Sequence, residues 1–95
     1  MGCWVYMLRC SDGRYYVGST RASLERRVGE HNNGRFGGFT SKRRPVRLIW
    51  CQWFMTITDA IAVERQIKGW RRDKKLALAK GDYDVLVSLS SRRKL

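Results

Sequence analysis

Five side chains in this 95-residue chain could together carry out a reaction at a phosphate group. Hydrolysis of a phosphodiester needs a nucleophilic water, a cation over the phosphate oxygens and help for the leaving oxygen. Arg27 could stabilise the phosphate charge, Glu64 could hold a metal ion, and His31 or a tyrosine, Tyr6 or Tyr16, could orient and deprotonate the water. Because the chain has only eight acids, one metal ion is favoured over two ions held by several carboxylates.

The two tyrosines, Tyr6 and Tyr16, belong to aromatic-rich stretches that predict β-strands over residues 3–10 and 15–19. Ser11-Asp12-Gly13 between them supplies the turn residues of a hairpin. A two-residue loop would place the tyrosines on opposite faces of the hairpin. A three-residue loop, with the glycine at positive φ, places them on one face. We predict the three-residue loop.

Arg27 and His31 fall on a predicted helix that Ser23 caps and that runs to about Asn32. His31 lies within the narrow apolar sector of this helix, and Arg27 lies just beside that sector. Residues four apart are neighbours on a helix surface. Each residue alone has an ordinary structural interpretation, but their pairing favours a functional role.

Glu64 lies near the middle of the apolar face of a second predicted helix, which Thr56 or Thr58 caps. The apolar face of that helix consists of Ile57, Ala60, Ile61 and Ile67. Burying an unpaired carboxylate is costly, so Glu64 needs a cation, strong hydrogen bonds or an open cleft beside it. One interpretation is a salt bridge to Arg27 or Lys68. The other is a metal ligand, because Mg²⁺ is commonly held by one or two carboxylates with waters and substrate phosphate.

Residues 32–45 are rich in glycine and basic residues and contain no acid, which predicts a long mobile loop. Phe36 and Phe39 offer stacking surfaces in a positive field, as single-stranded or distorted nucleic acid would use. A solvated basic loop has the same composition. The residues expected to contact nucleic acid are Arg21, Arg35, Thr40, Lys42, Arg43, Arg44, Lys68, Arg71 and Arg72.

The apolar and aromatic residues 46–54 predict a third strand, and residues 70–80 predict a basic third helix. The expected anchors of this helix are Trp70, Leu76 and Ala79. Its outward side is expected to carry Arg71, Arg72, Lys74, Lys75 and Lys80. This side could track a phosphate backbone or be an ordinary solvated helix face.

The composition describes one small basic domain. Lys and Arg number 20 against eight acids, a net charge of +12, which makes nucleic acid the first candidate partner. The three cysteines have no zinc spacing, so reduced thiols are expected. No apolar run is long enough for a membrane span and no signal peptide is evident, which predicts a soluble cytoplasmic protein with no membrane partner. Residues 1–89 are the predicted domain, and residues 90–95 are a predicted flexible tail.

Four segments resemble the motifs of the GIY-YIG nuclease superfamily. Trp4-Val5-Tyr6 and Tyr16-Val17-Gly18 resemble its paired tripeptides, at about the family's spacing. Residues 24–31 are similar to its arginine helix, and residues 58–64 are similar to the segment bearing its metal-binding glutamate. Small stand-alone bacterial members, the YhbQ-like group, are similar in length and in the glycine-rich loop. The N-terminal catalytic domain of the excision-repair nuclease UvrC is a more distant relative.

The resemblance implies an α+β fold, a three-stranded antiparallel sheet flanked by three or more helices, and one divalent ion, Mg²⁺ or Mn²⁺. Tyr6 and Tyr16 would line the site, and one of them would contact the attacking water. Arg27 would bind the scissile phosphate, His31 would stand beside it, and Glu64 would ligate the metal.

The sequence therefore predicts a metal-dependent endonuclease that hydrolyses DNA phosphodiester bonds. Its specificity would come from DNA structure or from a protein partner, and its role would be in DNA repair or recombination. The main alternative is a non-catalytic basic module that binds nucleic acid. A third hypothesis is a purely structural basic protein without a divalent-ion site.

Overall fold

The computed structural model describes residues 2–35 and 37–82. Three expectations fall outside the described residues and stay predictions: the stacking role of Phe36, the extension of the domain over residues 83–89, and the flexible tail over residues 90–95.

The chain begins with the β-hairpin that carries both tyrosines. Strands β1 (Cys3–Arg9) and β2 (Tyr15–Thr20) are antiparallel, with Tyr6 opposite Gly18 and Leu8 opposite Tyr16. Gly13 has a φ of 84° in the connecting loop, and its N–H donates to the carbonyl of Cys10. The three-residue loop is thus confirmed. Because side chains alternate along a strand, this register places Tyr6 and Tyr16 on one face.

A third strand completes the antiparallel sheet. Strand β3 (Arg47–Phe54) pairs with the other side of β1, which gives the order β2-β1-β3. The predicted three-stranded sheet is therefore confirmed, with β1 as its central strand. As a result, Tyr6 lies at the centre of the sheet and Tyr16 lies on an edge strand.

Two of the helices begin at the predicted caps. The helices are α1 (Leu24–Asn32), α2 (Gly38–Ser41), α3 (Ile57–Lys68) and α4 (Arg72–Lys80). The hydroxyl of Ser23 accepts from the Arg26 N–H at 3.2 Å, and the hydroxyl of Thr56 accepts from the Asp59 N–H at the same distance. Each bond satisfies one backbone donor that the first helical turn leaves open.

The two faces of the sheet bury separate clusters. On one face Val5, Met7 and Val17 pack against Ala60 and Ile67 of α3, together with Leu78 of α4. On the other face the tyrosine side of β1 packs against the apolar residues of α1. Helix α1 therefore covers the tyrosine face, and it carries Arg27 and His31 there.

The packing of α3 and α4 corrects three sequence-based expectations. Ile61 and Leu76, expected in the core, are 40% and 37% exposed, whereas Lys74, expected outside, is buried. Lys74 shares one helix face with Ala77 and Leu78, which follow it by three and four residues. Its ammonium lies 4.2 Å from the centre of the Trp70 ring, so that the aliphatic stem is buried while the charge contacts an aromatic face.

The described residues between α1 and β3 fold back on the domain and do not form an open loop. The side-chain amide of Asn32 donates to the Val46 carbonyl and accepts from the Val46 N–H, at 3.1 and 2.7 Å. Arg43 pairs with Asp12 of the hairpin loop at 3.0 Å. These contacts hold α2 against the tyrosine face.

None of the helices in the described ranges combines the length and the apolar character that a bilayer span requires.

Candidate active site

Tyr6 forms the buried centre of the candidate site. Only 1% of its surface is exposed, and its hydroxyl is hydrogen-bonded to Nε2 of His31 at 2.9 Å. Gly18 lies directly across the ladder, and a Cβ atom at that position would lie 2.7 Å from the Tyr6 hydroxyl. The last residue of Tyr16-Val17-Gly18 must therefore be glycine for this tyrosine to fit.

His31 joins Tyr6 to the segment that follows α1. Its Nδ1 is hydrogen-bonded to the Thr40 hydroxyl at 2.9 Å, and both residues are buried. The hydroxyl of Thr40, a residue expected to contact nucleic acid, is enclosed here and bound to the histidine. The result is a buried chain of hydrogen bonds from Thr40 through His31 to Tyr6.

Tyr16 lies beside these hydrogen-bonded residues and is partly exposed. Its ring centre is 5.0 Å from that of His31 and 6.4 Å from that of Tyr6. On its other side the ring of Phe39 lies 6.1 Å away. Of the two tyrosines, Tyr16 is thus the one that solvent reaches.

Arg27 lies one helical turn before His31 and faces the same side of the sheet. Its Nε donates to the Thr20 hydroxyl at 3.2 Å and lies 3.8 Å from the Glu30 carboxylate. Neither Thr20 nor Glu30 is among the site residues that the sequence pattern predicts. Thr20 could have been found, because it follows Tyr16 by four residues on one strand face. Nothing in the helical pattern marked Glu30.

Glu64 lies on α3 with 16% of its side chain exposed, and it forms an ion pair with Lys68 at 2.6 Å. Of the two expected salt bridges, the one to Lys68 is present. Arg27 forms an ion pair with Glu30 of its own helix. Burial is the main cause that raises the pKa of the Tyr6 hydroxyl, and the Glu64 charge adds a smaller contribution in the same direction.

Burial dominates the electrostatics of the cluster. It raises the pKa of Tyr6 far above its usual value, and the neighbouring Tyr16 adds to this effect while Arg27 opposes it. Burial also lowers the pKa of His31, and the positive charge of Arg27 acts in the same direction while Glu30 opposes both. At neutral pH both side chains are therefore uncharged, and His31 can accept a proton.

The donor set fits a divalent ion held by few protein ligands. Within the described ranges no group of three or more His, Cys, Asp or Glu side chains could hold a metal together. Glu64 is a single, partly buried carboxylate that already has a cation, Lys68, against it. Mg²⁺ keeps several waters and is often bound by one or two carboxylates plus substrate phosphate, so one carboxylate is sufficient.

Most of the other residues expected to contact nucleic acid have exposed side chains. Those that are exposed are Arg21, Arg35, Lys42, Arg44, Lys68, Arg71 and Arg72. Arg43 is the exception, because it is partly buried between Asp12 and the ring of Phe39, whose centre is 4.1 Å from its guanidinium carbon.

The comparison with family models assigns the chain to a class of proteins. Residues 2–77 match the model described as the GIY-YIG catalytic domain. The chain therefore belongs to the GIY-YIG nuclease family, whose members are generally metal-dependent.

Individual relatives place the chain more narrowly. It is 39% identical to a UPF0213 protein of Staphylococcus saprophyticus over 79% of this chain and 90% of the relative. It is 40% identical to a UPF0213 protein of Haloquadratum walsbyi over 86% and 91%. Two solution NMR structures are similar. One is a UPF0213 protein of Bacillus halodurans (34% identity, 84% of each chain, TM-score 0.55). The other is a protein of E. faecalis (35%, 87% and 88%, TM-score 0.60).

Proposed function

We propose that the protein is a metal-dependent endonuclease that hydrolyses DNA phosphodiester bonds. The observation that carries this proposal is the convergence of Tyr6, Tyr16, Arg27 and His31 on one sheet face. A nucleophile, an acceptor for its proton and a cation for the phosphate are the groups that this reaction needs.

We assign different roles to the two tyrosines. Tyr16 is partly exposed, and its hydroxyl makes no hydrogen bond to the part of the chain that the structure describes, so it can bind the attacking water. Tyr6 and His31 together accept the proton. The water oxygen bonds to phosphorus as its proton passes to the Tyr6 oxygen, and the Tyr6 proton passes to Nε2 of His31. The bond between phosphorus and the leaving oxygen then breaks, and the leaving oxygen keeps the electron pair and takes up a proton from solvent.

This proton transfer requires a particular tautomer of His31. If Nε2 accepts from Tyr6, then Nδ1 carries the proton and donates to the Thr40 hydroxyl. Thr40 thus positions the ring. Because the resting histidine is neutral, it is available as the final acceptor.

Arg27 would stabilise the negative charge on the phosphate directly, and Glu64 would do so through a bound metal ion. Thr20 holds Nε of Arg27, and the planar guanidinium matches the geometry of two phosphate oxygens. Glu64 would exchange Lys68 for Mg²⁺ or Mn²⁺, which when bound would act as a Lewis acid on the phosphate oxygens. We further propose that specificity comes from DNA structure or from a protein partner, in DNA repair or recombination in the cytoplasm.

The ion pair between Glu64 and Lys68 favours a second candidate, a nucleic-acid-binding module without catalysis. Cleavage of supercoiled or branched DNA separates the two. With Mg²⁺ or Mn²⁺ the native protein should nick such DNA, and Glu64→Ala should abolish nicking while leaving binding largely intact. Glu25→Ala, which removes an exposed acid of α1, is the matched control and should cleave normally. Undiminished nicking by Glu64→Ala rejects the proposal.

A further inference from the structure

A groove crosses the outer edge of β2, next to the candidate active site. It consists of two adjoining hollows of about 200 and 230 Å³, both lined by Tyr15, Phe39 and Lys75. The first hollow also contacts Tyr16 and Lys68, and the second contacts side chains of the hairpin loop and the start of α4, Arg14 and Arg72. We call this the β2-edge groove.

Aromatic rings line the β2-edge groove, and all of the charged side chains that line it are cationic. Phe39 is 39% exposed, although a side chain of this size is more often covered in a small domain. Four lining residues are basic and none is acidic: Arg14, Lys68, Arg72 and Lys75. Flat apolar rings within a positive field are the features with which proteins bind unpaired bases and their phosphates.

Lys75 lies between the two hollows and is partly buried. Burial lowers the pKa of its ammonium group. Its neighbours have partners, since Lys68 pairs with Glu64 and Lys74 lies over Trp70. The ammonium group of Lys75 makes no ion pair or hydrogen bond with any residue in the described ranges. A partly desolvated cation without a counter-charge is costly, and an anion bound in the groove would offset that cost.

The position and the size of the groove restrict its ligand. It begins at the candidate site, because Tyr16 lines it and Lys68 contacts Glu64. A hollow of about 200 Å³ is smaller than the roughly 300–1,000 Å³ of typical small-molecule sites. Its apolar part is therefore suited to one flat ring. A base inside a duplex cannot enter such a pocket, because its faces are already stacked.

We propose that the β2-edge groove binds one unpaired nucleotide of the DNA strand next to the cleaved phosphate. The base stacks on Phe39 and Tyr15, and Lys75 binds the phosphate of that nucleotide. This inference rests on the proposed function for the identity of the substrate, and it adds that the substrate has a single-stranded segment at the cleavage point. The protein then prefers a duplex with an overhang to a blunt duplex of the same sequence.

Fluorescence anisotropy in EDTA tests the aromatic contact with those two DNAs, without cleavage. The native protein should prefer the overhang, and Phe39→Ala should lower this preference by roughly fivefold to a hundredfold, the range for losing one base–aromatic stack. Phe39→Tyr keeps the ring and should retain the preference. Met55→Ala removes a 77% exposed apolar side chain outside the groove and should have no effect. Equal loss for both DNAs in Phe39→Ala overturns the proposal.

The phosphate contact is tested by two lysines of α4. Lys75→Gln should weaken binding of the overhang DNA selectively. Lys80→Gln removes the same charge at a position roughly 140° round the helix and should affect both DNAs alike. An abasic site in the overhang should weaken DNA binding by the native protein and should not change DNA binding by Phe39→Ala.

These binding results are independent of cleavage. If the native protein nicks DNA but binds both duplexes equally, the proposal that the groove binds an unpaired nucleotide is wrong and the proposed function stands. A native protein that prefers the overhang but never nicks DNA would overturn the proposed function alone.

Discussion

The hydroxyl of Tyr6 and Nε2 of His31 lie 2.9 Å apart, in a part of the domain where neither side chain is exposed to solvent. Tyr6 comes from the central strand and His31 from the last turn of α1. A buried tyrosine hydroxyl does not readily lose its proton, but a neutral histidine at hydrogen-bonding distance offers an acceptor. This relationship makes the pair the proposed proton acceptor of the site.

Removing the Tyr6 hydroxyl should stop proton transfer while keeping the ring in the core. For Tyr6→Phe we expect single-turnover cleavage to slow by about 10²- to 10⁴-fold, the usual contribution of a general acid or base. The free energy of unfolding, measured by urea denaturation, should fall by only about 1–3 kcal/mol, because Nε2 of His31 loses its partner. Cleavage at the native rate would show that the hydroxyl takes no part.

The pKa of His31 predicts the pH dependence of cleavage. Protonated His31 cannot accept a proton from Tyr6, so the rate should rise with pH as the histidine becomes neutral. Because its pKa is lowered from 6.5, the midpoint should lie below that value and the rate should be level near neutrality. His31→Gln does not titrate in this range and should lack the acidic limb. A native midpoint above 6.5 contradicts the assignment.

Replacing Gly18 by alanine should both destabilise the protein and slow cleavage, because Gly18 lies against Tyr6 on the tyrosine face. Gly18→Ala would place a methyl group 2.7 Å from the Tyr6 hydroxyl, and we expect a loss of about 1–3 kcal/mol in the free energy of unfolding, together with slower cleavage. Gly29→Ala is the matched control. It lies on α1 with nothing within 4 Å of its added Cβ, and it should stabilise the protein by roughly 0.5–1 kcal/mol. Equal effects of the two substitutions would contradict the close approach at Gly18.

The sequence was sufficient for the features that local chemistry determines. The turn residues around Gly13 determined the hairpin register, and that register put Tyr6 and Tyr16 on one face. Ser23 and Thr56 marked the starts of two helices because their hydroxyls accept backbone hydrogen bonds.

Features that depend on how separate elements pack could not be predicted in this way. Thr40 follows His31 by nine residues and lies on a separate short helix, so no periodicity indicates that they meet. Lys74 lies in the core because α4 is rotated to bury the face it shares with Ala77. The β2-edge groove needs residues of α2, α3 and α4 beside the edge of β2, a combination that exists only in the folded chain.

The central claim is that Glu64 holds a divalent ion beside Tyr6, although Lys68 occupies its carboxylate in the free protein. A Mn²⁺ titration followed by NMR tests this most directly, because the paramagnetic ion broadens the signals of nearby residues. We predict saturable broadening centred on Glu64 and Tyr6, and its loss in Glu64→Gln but not in Glu25→Gln. Broadening that is centred elsewhere, or that persists unchanged in Glu64→Gln, would contradict the account.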